Sequence, residues 1–341
     1  MINKKQIDEI DIQKIYATYD DWPKIARECY EKDLKKIDYK SIDHIVFAGM
    51  GGSGILGDIF SSILSKTGMH VCVVKGYHMP KTIDSNTLIV TTSISGNTDE
   101  TLSILKAANK QGCKIIAFSA GGEMEKFCLD NNVDFRKIER FHSPRASLTS
   151  FLYGMMNVLS PILPIKNEDA LESIKGLEEL KSKIFSGELS DNNPALSLAK
   201  WLKNIPLIYY PWGLQSAAIR FKNSLQENAK IHVIVEDIVE SCHNGVVAWE
   251  KESNIQPILI RGVDDHIKTK EKFEILKKYF AENNIKYREI FSAEGNILSK
   301  IMHLIYFLDF VSIYKAILEK TDPSPVGSID YIKDRTSKLD E

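Results

Sequence analysis

The stretch that most constrains the fold of this 341-residue chain lies at residues 88–102. It begins with an apolar, β-branched run typical of a buried strand, and it ends at Leu102, which Leu105 follows at helical spacing. The turn between them is made of small and polar residues, namely Ser93, Ser95, Gly96, Asn97 and Thr98. A strand, a small polar turn and a helix in this order predict an α/β domain with function at the turn.

This turn has the chemistry of a phosphate cradle. Hydroxyls and backbone N–H groups converge at a helix N-terminus, where the helix dipole favours an anion, and Gly96 lets the backbone approach it closely. The alternative is an ordinary helix cap by Asn97 or Thr98, but a cap needs only one such group. The chain has no Gly-Lys-Ser/Thr sequence of a P-loop, so a nucleoside triphosphate is not expected.

A second glycine-rich turn follows the predicted strand His44–Ala48 and precedes an apolar helix. Gly49, Gly51 and Gly54 satisfy the dinucleotide pattern G-x-G-x-x-G. The next strand, 71–74, is followed by Lys-Gly-Tyr-His, without the acid that would hold a ribose hydroxyl. Both turns follow strand C-termini, so we expect them to line one crevice, where the Ser53 hydroxyl can join the anion site.

Strands alternating with helices predict two doubly wound parallel-sheet domains, each an αβα sandwich. The expected strands of the first half are His44–Ala48, 71–74, 87–92, 114–118 and 133–135. The second half repeats the outline with strands at 207–210, 231–235, 256–260 and 287–290, a helix over 217–229 and a long apolar helix over Ile297–Leu318. Asp264 and Asp265 stand where the first half has its hydroxyl-rich turn, so only one phosphate site is expected.

The same pattern sets the expected domain limits. Residues 1–40 form an N-terminal arm, helical over 6–36, and residues 41–165 form the first domain with its phosphate-binding turns. A polar segment, 166–194, is the linker, and residues 195–341 form the second domain.

Composition narrows the class of protein. A net charge of −2 gives no drive toward nucleic acid or an anionic membrane, and no uninterrupted apolar run is long enough to span a bilayer. The N-terminus is polar and charged, unlike a signal peptide. The five cysteines are scattered, without a Cys-x-x-Cys pair. We therefore expect a cytoplasmic protein with reduced thiols, no metal and no cofactor.

Two segments of the second half carry candidate catalytic side chains. Asn223, Glu227 and Lys230 have the i, i+4, i+7 spacing that puts them on one helix face, which on spacing alone is also typical of a solvated surface. His243 lies in a polar loop beside Asn244, after a predicted strand, where loops carry function.

In combination these motifs resemble the bifunctional phosphoglucose/phosphomannose isomerase family, which is built from two flavodoxin-like sugar isomerase (SIS) domains. The resemblance covers nearly the whole chain and rests on Gly51-Gly52-Ser53-Gly54, on residues 93–101, and on Pro144-Arg145, Glu227-Asn228-Ala229-Lys230, His243-Asn244 and the tail 322–333. The first turn has Ile94 where the family usually has Tyr.

The resemblance implies a metal-independent interconversion of glucose 6-phosphate, and of mannose 6-phosphate, with fructose 6-phosphate through a cis-enediol. It implies that the phosphate is bound by Gly52, Ser53, Ser93, Ser95, Gly96, Asn97 and Thr98. Glu227 would move the proton and Arg145 would stabilise the enediolate. His243, from the partner subunit of a homodimer, would assist ring opening with Lys333.

Two alternatives stay open at this point. One is a SIS isomerase for another sugar phosphate, and the other is a non-catalytic sugar-phosphate sensor. Regulators of the second kind add a helix-turn-helix domain, and the arm before the first strand has no basic recognition helix.

Overall fold

The computed structural model describes residues 2–336. It begins with an arm of three short helices, α1 (Lys4–Ile10), α2 (Ile15–Asp20) and α3 (Trp22–Glu31). The arm is anchored by α3, whose Trp22, Ile25 and Ala26 are buried and which packs on a helix of the first domain.

The prediction that the arm stays helical to residue 36 is wrong, because helix α3 ends at Glu31. Tertiary hydrogen bonds replace the helical ones beyond that point. The Asn157 amide donates to the carbonyls of Tyr30 and Lys32, and the Ile37 N–H donates to the Val158 carbonyl. These bonds hold the chain extended as it enters the first sheet.

The first domain is a parallel five-stranded sheet covered by helices. In chain order its elements are β1 (His44–Ala48), α4 (Gly51–Leu64), β2 (His70–Val74), β3 (Thr87–Ser93), α5 (Asp99–Lys110), β4 (Lys114–Ser119), α6 (Gly122–Asp130), β5 (Asp134–Lys137) and α7 (Leu148–Leu159). The strand order is β2-β1-β3-β4-β5. All strands are parallel, and it is the order in which successive strands are added that reverses between β1 and β3. The turns after those two strands therefore face the crevice where such sheets bind ligands.

The second domain has a parallel four-stranded sheet. Its elements, with those leading into it, are α8 (Asn167–Ile184), α9 (Pro194–Trp201), β6 (Ile205–Tyr210), α10 (Gln215–Ser224), β7 (Ile234–Asp237), α11 (Ile238–Ser241), β8 (Ile255–Arg261), α12 (Ile267–Glu282), β9 (Arg288–Phe291), α13 (Ile297–Leu318) and α14 (Gly327–Thr336). The order β7-β6-β8-β9 repeats the start of the first sheet. The prediction of two doubly wound parallel-sheet domains is confirmed.

Helix α13 is the core element that joins the parts of the chain. It packs on α8, α9 and α10, and its 18-residue apolar window is 83% buried inside the protein. By length and composition alone it could span a membrane, but a buried core helix passes the same test. The predicted linker 166–194 contains α8, which packs on α13 and on α3.

Candidate active site

The turn after β3 is closed by its own hydroxyls. Ser93 Oγ lies 2.9 Å from Thr98 Oγ1 and accepts the Gly96 N–H at 3.0 Å. Ser95 Oγ accepts the Asn97 N–H at 3.3 Å. Thr98 is the N-cap residue of α5 but makes no side-chain cap hydrogen bond, since its hydroxyl faces Ser93. The geometry thus favours the cradle over an ordinary cap.

The two glycine-rich turns are held together at Ser53. Its buried hydroxyl accepts the Ile94 N–H at 3.1 Å, which joins the first turn of α4 to the turn after β3. Asn97 faces the other way: its Oδ1 accepts the Glu123 N–H at 2.9 Å and so anchors α6. The predicted phosphate ligands therefore lie at one crevice, although the Asn97 side chain is occupied by α6.

Gly96 is required by two constraints at once. Its φ of +77° is in the left-handed region, and a Cβ built on it would lie 1.7 Å from the Gly121 carbonyl oxygen. Backbone from two turns approaches too closely for any side chain, so this position fixes the shape of the cradle.

Gly52 connects the cradle to the second part of the site. A Cβ on Gly52 would lie 3.3 Å from the Pro144 carbonyl group, so the α4 turn packs directly on the segment that carries Arg145. Arg145 begins a short 3-10 helix before α7, and its side chain crosses into the second domain. Arg145 is only 3% exposed, so its charge is surrounded by protein.

The Arg145 guanidinium is fixed by four hydrogen bonds. Nε donates to Asn228 Oδ1 at 2.8 Å, and Nη2 donates to the carbonyls of Pro323 and Ser324 at 2.6 and 2.9 Å. Nη1 donates to Glu227 Oε2 at 3.3 Å. A guanidinium has five N–H donors, so one N–H of Nη1, beside Glu227, has no protein partner among residues 2–336.

Glu227 lies on a single turn of π-helix, Leu225–Ala229, which follows α10. The sequence predicts one regular helix over 217–229. This is wrong for the last five residues, which form the wider π turn. Single π turns inside helices occur often at functional sites. The turn ends at Lys230, whose φ of 58° is left-handed. Lys230 Nζ donates to the carbonyls of Glu227 and Pro325, which ties the C-terminal segment to the turn.

An open cleft of about 760 Å³ lies over this turn. Asn223, Glu227 and Lys230 all line it, as their spacing predicts, and Gly51 brings the α4 turn to the same cleft. The other lining residues are Gln226, Ile231, His232 and residues 325–329. Sequence reasoning counted the tail in the family resemblance but placed neither the tail nor the other three residues at the cleft. Burial lowers the pKa of Lys230, and the nearby Arg145 charge lowers it further.

The structure does not bring His243 and Lys333 to this cleft. His243 is exposed in the loop after α11, and its backbone N–H donates to the Glu240 carbonyl. Lys333 is exposed on α14. Within the described part of this chain, neither side chain contacts Glu227 or Arg145. The described part of this chain thus brings together the carboxylate and the guanidinium beside the turns of the first domain, but not His243.

A buried ion pair supports Arg145 from behind. Arg220 and Asp309 are both almost fully buried and lie 2.6 Å apart, and Arg220 also donates to the Arg145 carbonyl at 2.8 Å. Sequence reasoning missed this pair. A single Asp inside the apolar helix α13 is the signal that could have revealed it, since a buried carboxylate needs a partner.

The corresponding turn of the second sheet is filled by its own carboxylate. Asp265 accepts the Gly262 N–H at 2.9 Å, and Asp264 pairs with Lys300 at 2.6 Å. The donors that could hold an anion there are thus occupied by acids, which supports the prediction of a single phosphate site.

Comparison with known proteins agrees with this architecture. Residues 38–158 match the SIS domain family, and residues 191–336 match the bacterial phospho-glucose isomerase C-terminal SIS domain family. Solved structures share the fold: a hypothetical protein from Thermus thermophilus (TM-score 0.75, 13% identity, 98% of this chain and 94% of that one) and tagatose-6-phosphate ketose/aldose isomerase from Escherichia coli (TM-score 0.63, 14% identity, 94% of each). The fold and site thus define a protein of two SIS domains.

The sequence relatives give a narrower result. A bifunctional phosphoglucose/phosphomannose isomerase from Caldicellulosiruptor bescii is 30% identical over 93% of this chain and 97% of its own length. One from Thermoplasma acidophilum is 30% identical over 87% of this chain and 91% of its own. The chain belongs to the bifunctional phosphoglucose/phosphomannose isomerase family.

Proposed function

We propose that this protein is a cytoplasmic, metal-independent aldose–ketose isomerase that interconverts glucose 6-phosphate and mannose 6-phosphate with fructose 6-phosphate. One observation carries the proposal: the Glu227 carboxylate, which lines the cleft, lies 3.3 Å from the Arg145 guanidinium, and Gly51 of the α4 turn lines the same cleft. A base beside a fixed cation is what proton transfer next to a carbonyl needs.

The phosphate binds first in this proposal. The hydroxyls of Ser53, Ser93, Ser95 and Thr98, with the backbone of Gly52, Gly96 and Asn97, hold it at the crevice of the first sheet. The N-terminus of α5 adds favourable dipole charge. Anchoring one end of the sugar places C1 and C2 over the π turn, so that the proton transfer becomes intramolecular.

Glu227 then takes the C2 proton of the open-chain aldose, and the carbonyl oxygen at C1 gains the electron pair. The free Nη1 N–H of Arg145 stabilises the resulting cis-enediolate. A proton passes from O2 to O1, and Glu227 returns its proton to C1, which gives the ketose. Every proton removed is returned to the sugar, so the step consumes nothing.

Ring opening needs a further acid–base group, and His243, which the family resemblance suggests for this role, does not lie at the cleft of its own chain. His243, which is exposed on this chain, would come from the partner subunit of a homodimer, with Lys333 of α14 as its assistant. An exposed imidazole in a surface loop is accessible to a second copy, and a twofold interface would supply one histidine to each cleft.

The test is a coupled assay with EDTA present, in which fructose 6-phosphate is offered and glucose and mannose 6-phosphates are detected separately. Both products are expected. Glu227→Gln should lower kcat on the order of 10³-fold, since general acid–base catalysis contributes about 10²–10⁴-fold, while fructose 6-phosphate still binds by calorimetry.

The outcomes separate the alternatives. Glucose 6-phosphate alone would restrict the proposal to one epimer. Binding without either product would indicate a sensor or an isomerase for another sugar phosphate, and a Glu227→Gln variant with full activity would remove the proposed base.

A further inference from the structure

Asn228, the residue after Glu227, has no role in the mechanism above, yet its side chain is completely buried and both of its polar atoms are hydrogen-bonded. Its Nδ2 donates to Ser312 Oγ at 2.8 Å, and its Oδ1 accepts from Arg145 Nε at 2.8 Å. It therefore connects the core helix α13 to the cation of the site.

The hydrogen bonds determine which way the amide faces. Ser312 Oγ donates its only hydrogen to the Asp309 carbonyl at 2.6 Å, so toward Asn228 it can act only as an acceptor. The NH₂ group of Asn228 must then face Ser312, which leaves Oδ1 for Arg145. An amide turned by 180° would place two donors against each other at Arg145 and two acceptors at Ser312.

This orientation decides where Arg145 points. With Nε held by Asn228 and Nη2 held by the carbonyls of Pro323 and Ser324, the plane of the guanidinium is fixed on two edges. The remaining edge, Nη1, faces Glu227. The π turn places Glu227 toward the cleft and Asn228 toward the core. These two neighbouring side chains therefore contact different nitrogens of the same guanidinium, Nη1 and Nε.

We infer that Asn228 is a positioning residue: with Ser312, it orients the Arg145 guanidinium so that one Nη1 N–H stays free for the reacting oxygen of the sugar. The inference rests on the proposed function, because it assigns a role in that reaction. It predicts that loss of the Asn228 amide weakens stabilisation of the transition state but not substrate binding, since the phosphate is held elsewhere.

The variants are Asn228→Ala, Ser312→Ala and the double variant, assayed with fructose 6-phosphate. Asn157→Ala is the matched control, since Asn157 is also a buried amide with two hydrogen bonds, to Tyr30 and Lys32, far from the cleft. Asn228→Ala should lower kcat on the order of 10²-fold with KM changed less than about twofold, since small misplacements cost that much. Asn157→Ala should lower Tm but leave kcat unchanged.

The double variant provides a readout that mere destabilisation would not produce. Ser312→Ala should lower kcat less than Asn228→Ala, and in the Asn228→Ala background it should have no further effect on kcat, because Ser312 acts only through the amide. Additive losses of kcat would overturn the inference, and so would an unchanged kcat in Asn228→Ala.

The proposed function is checked separately by the wild-type protein and Glu227→Gln. If wild type isomerises and Glu227→Gln does not, while Asn228→Ala keeps its kcat, only the positioning role fails. If wild type shows no isomerisation, the proposed function itself fails.

Discussion

Buried charge is concentrated behind the Glu227 carboxylate. Arg145, Arg220 and Asp309 are each 3% exposed or less, and they are joined through the Arg145 carbonyl and the Asp309–Arg220 ion pair. Such pairs add little net stability, but removing one partner leaves a buried charge and costs about 3–5 kcal/mol. What they provide here is a fixed direction for one guanidinium, which fits a group that must act on a short-lived charge.

The residue-scale features predictable from sequence are those that lie in short motifs. Glu227, Arg145 and the serines of the turns could be proposed as site residues because each stands in a short motif shared with the family. Asn228 stands in the same motif as Glu227, but its partner Ser312 is 84 residues away in the chain. Whether that serine faces the site depends on the rotation of α13 in the core, which no local pattern encodes.

His303 gives a prediction about stability against pH. It lies on α13 with Nδ1 buried and without a hydrogen-bond partner among the described residues. Burial lowers the pKa of His303 from 6.5 to about 4, and the positive charge of Lys183 contributes. The folded protein thus holds this imidazole neutral where the unfolded chain would protonate it. The unfolding free energy therefore does not depend on this group above pH 6.5, and it decreases as the pH falls from 6.5 toward 4.

When the pH is lowered from 7.5 to 5, protonation of His303 in the unfolded chain should reduce the unfolding free energy by about 2 kcal/mol. His303→Leu should remove that part of the pH dependence while keeping the side chain apolar. Urea unfolding of both proteins at the two pH values measures the difference. An equal loss of stability in both would show that other groups cause it.

At the scale of elements, the sequence pattern predicts the bounds of a helix or strand best where nearly all of its residues are buried. The bounds of β1 and α13 agree with the prediction, because both are continuous apolar runs inside the core. The predicted β7, at 231–235, begins three residues too early, since Ile231 belongs to the cleft beside the π turn. The π turn itself has the composition of an ordinary helix, so its wider geometry could not be predicted from propensity.

Substitution of Gly96 tests whether the turn after β3 binds the phosphate. Gly96→Ala would place a methyl 1.7 Å from the Gly121 carbonyl oxygen in a left-handed conformation, so the turn must change shape. KM for fructose 6-phosphate should rise at least on the order of tenfold, because the cradle loses its geometry. Steady-state kinetics and competition by inorganic phosphate measure this.

Gly176→Ala is the matched control for that variant. Gly176 lies inside α8, and a Cβ there would have no atom within 4 Å. It should raise the unfolding free energy by about 0.5–1 kcal/mol without changing KM. An unchanged KM in Gly96→Ala as well would mean that phosphate is bound elsewhere.

At the scale of the whole molecule, the proposed function uses two similar domains to make one site. The first sheet offers hydroxyls and glycines at its crevice, while the second fills the equivalent turn with Asp265. The second domain instead contributes Glu227 from a helix, and the buried core runs through both domains, with Phe47 and Ile208 in the same cluster. In the proposed function the domains therefore divide the work: the first holds the phosphate, and the second carries the base.

That division leaves His243 outside the cleft of its own chain, and a mixed-subunit experiment tests whether a partner supplies it. His243→Ala and Glu227→Gln are each expected to be nearly inactive. In dimers formed at random from equal amounts, each mixed dimer has one cleft with Glu227 from one chain and His243 from the other. About a quarter of wild-type activity should then return, since half of the dimers are mixed and each has one complete site.

If His243 served the cleft of its own chain, no mixed dimer would contain a complete site, and activity would stay at the level of the separate variants. Unfolding and refolding the two variants together and apart, followed by the coupled assay, distinguishes these results. Two wild-type subunits mixed by the same procedure give the yield of refolding. A return of activity would place the histidine across a twofold interface, which would make the dimer, and not the folded chain, the catalytic unit.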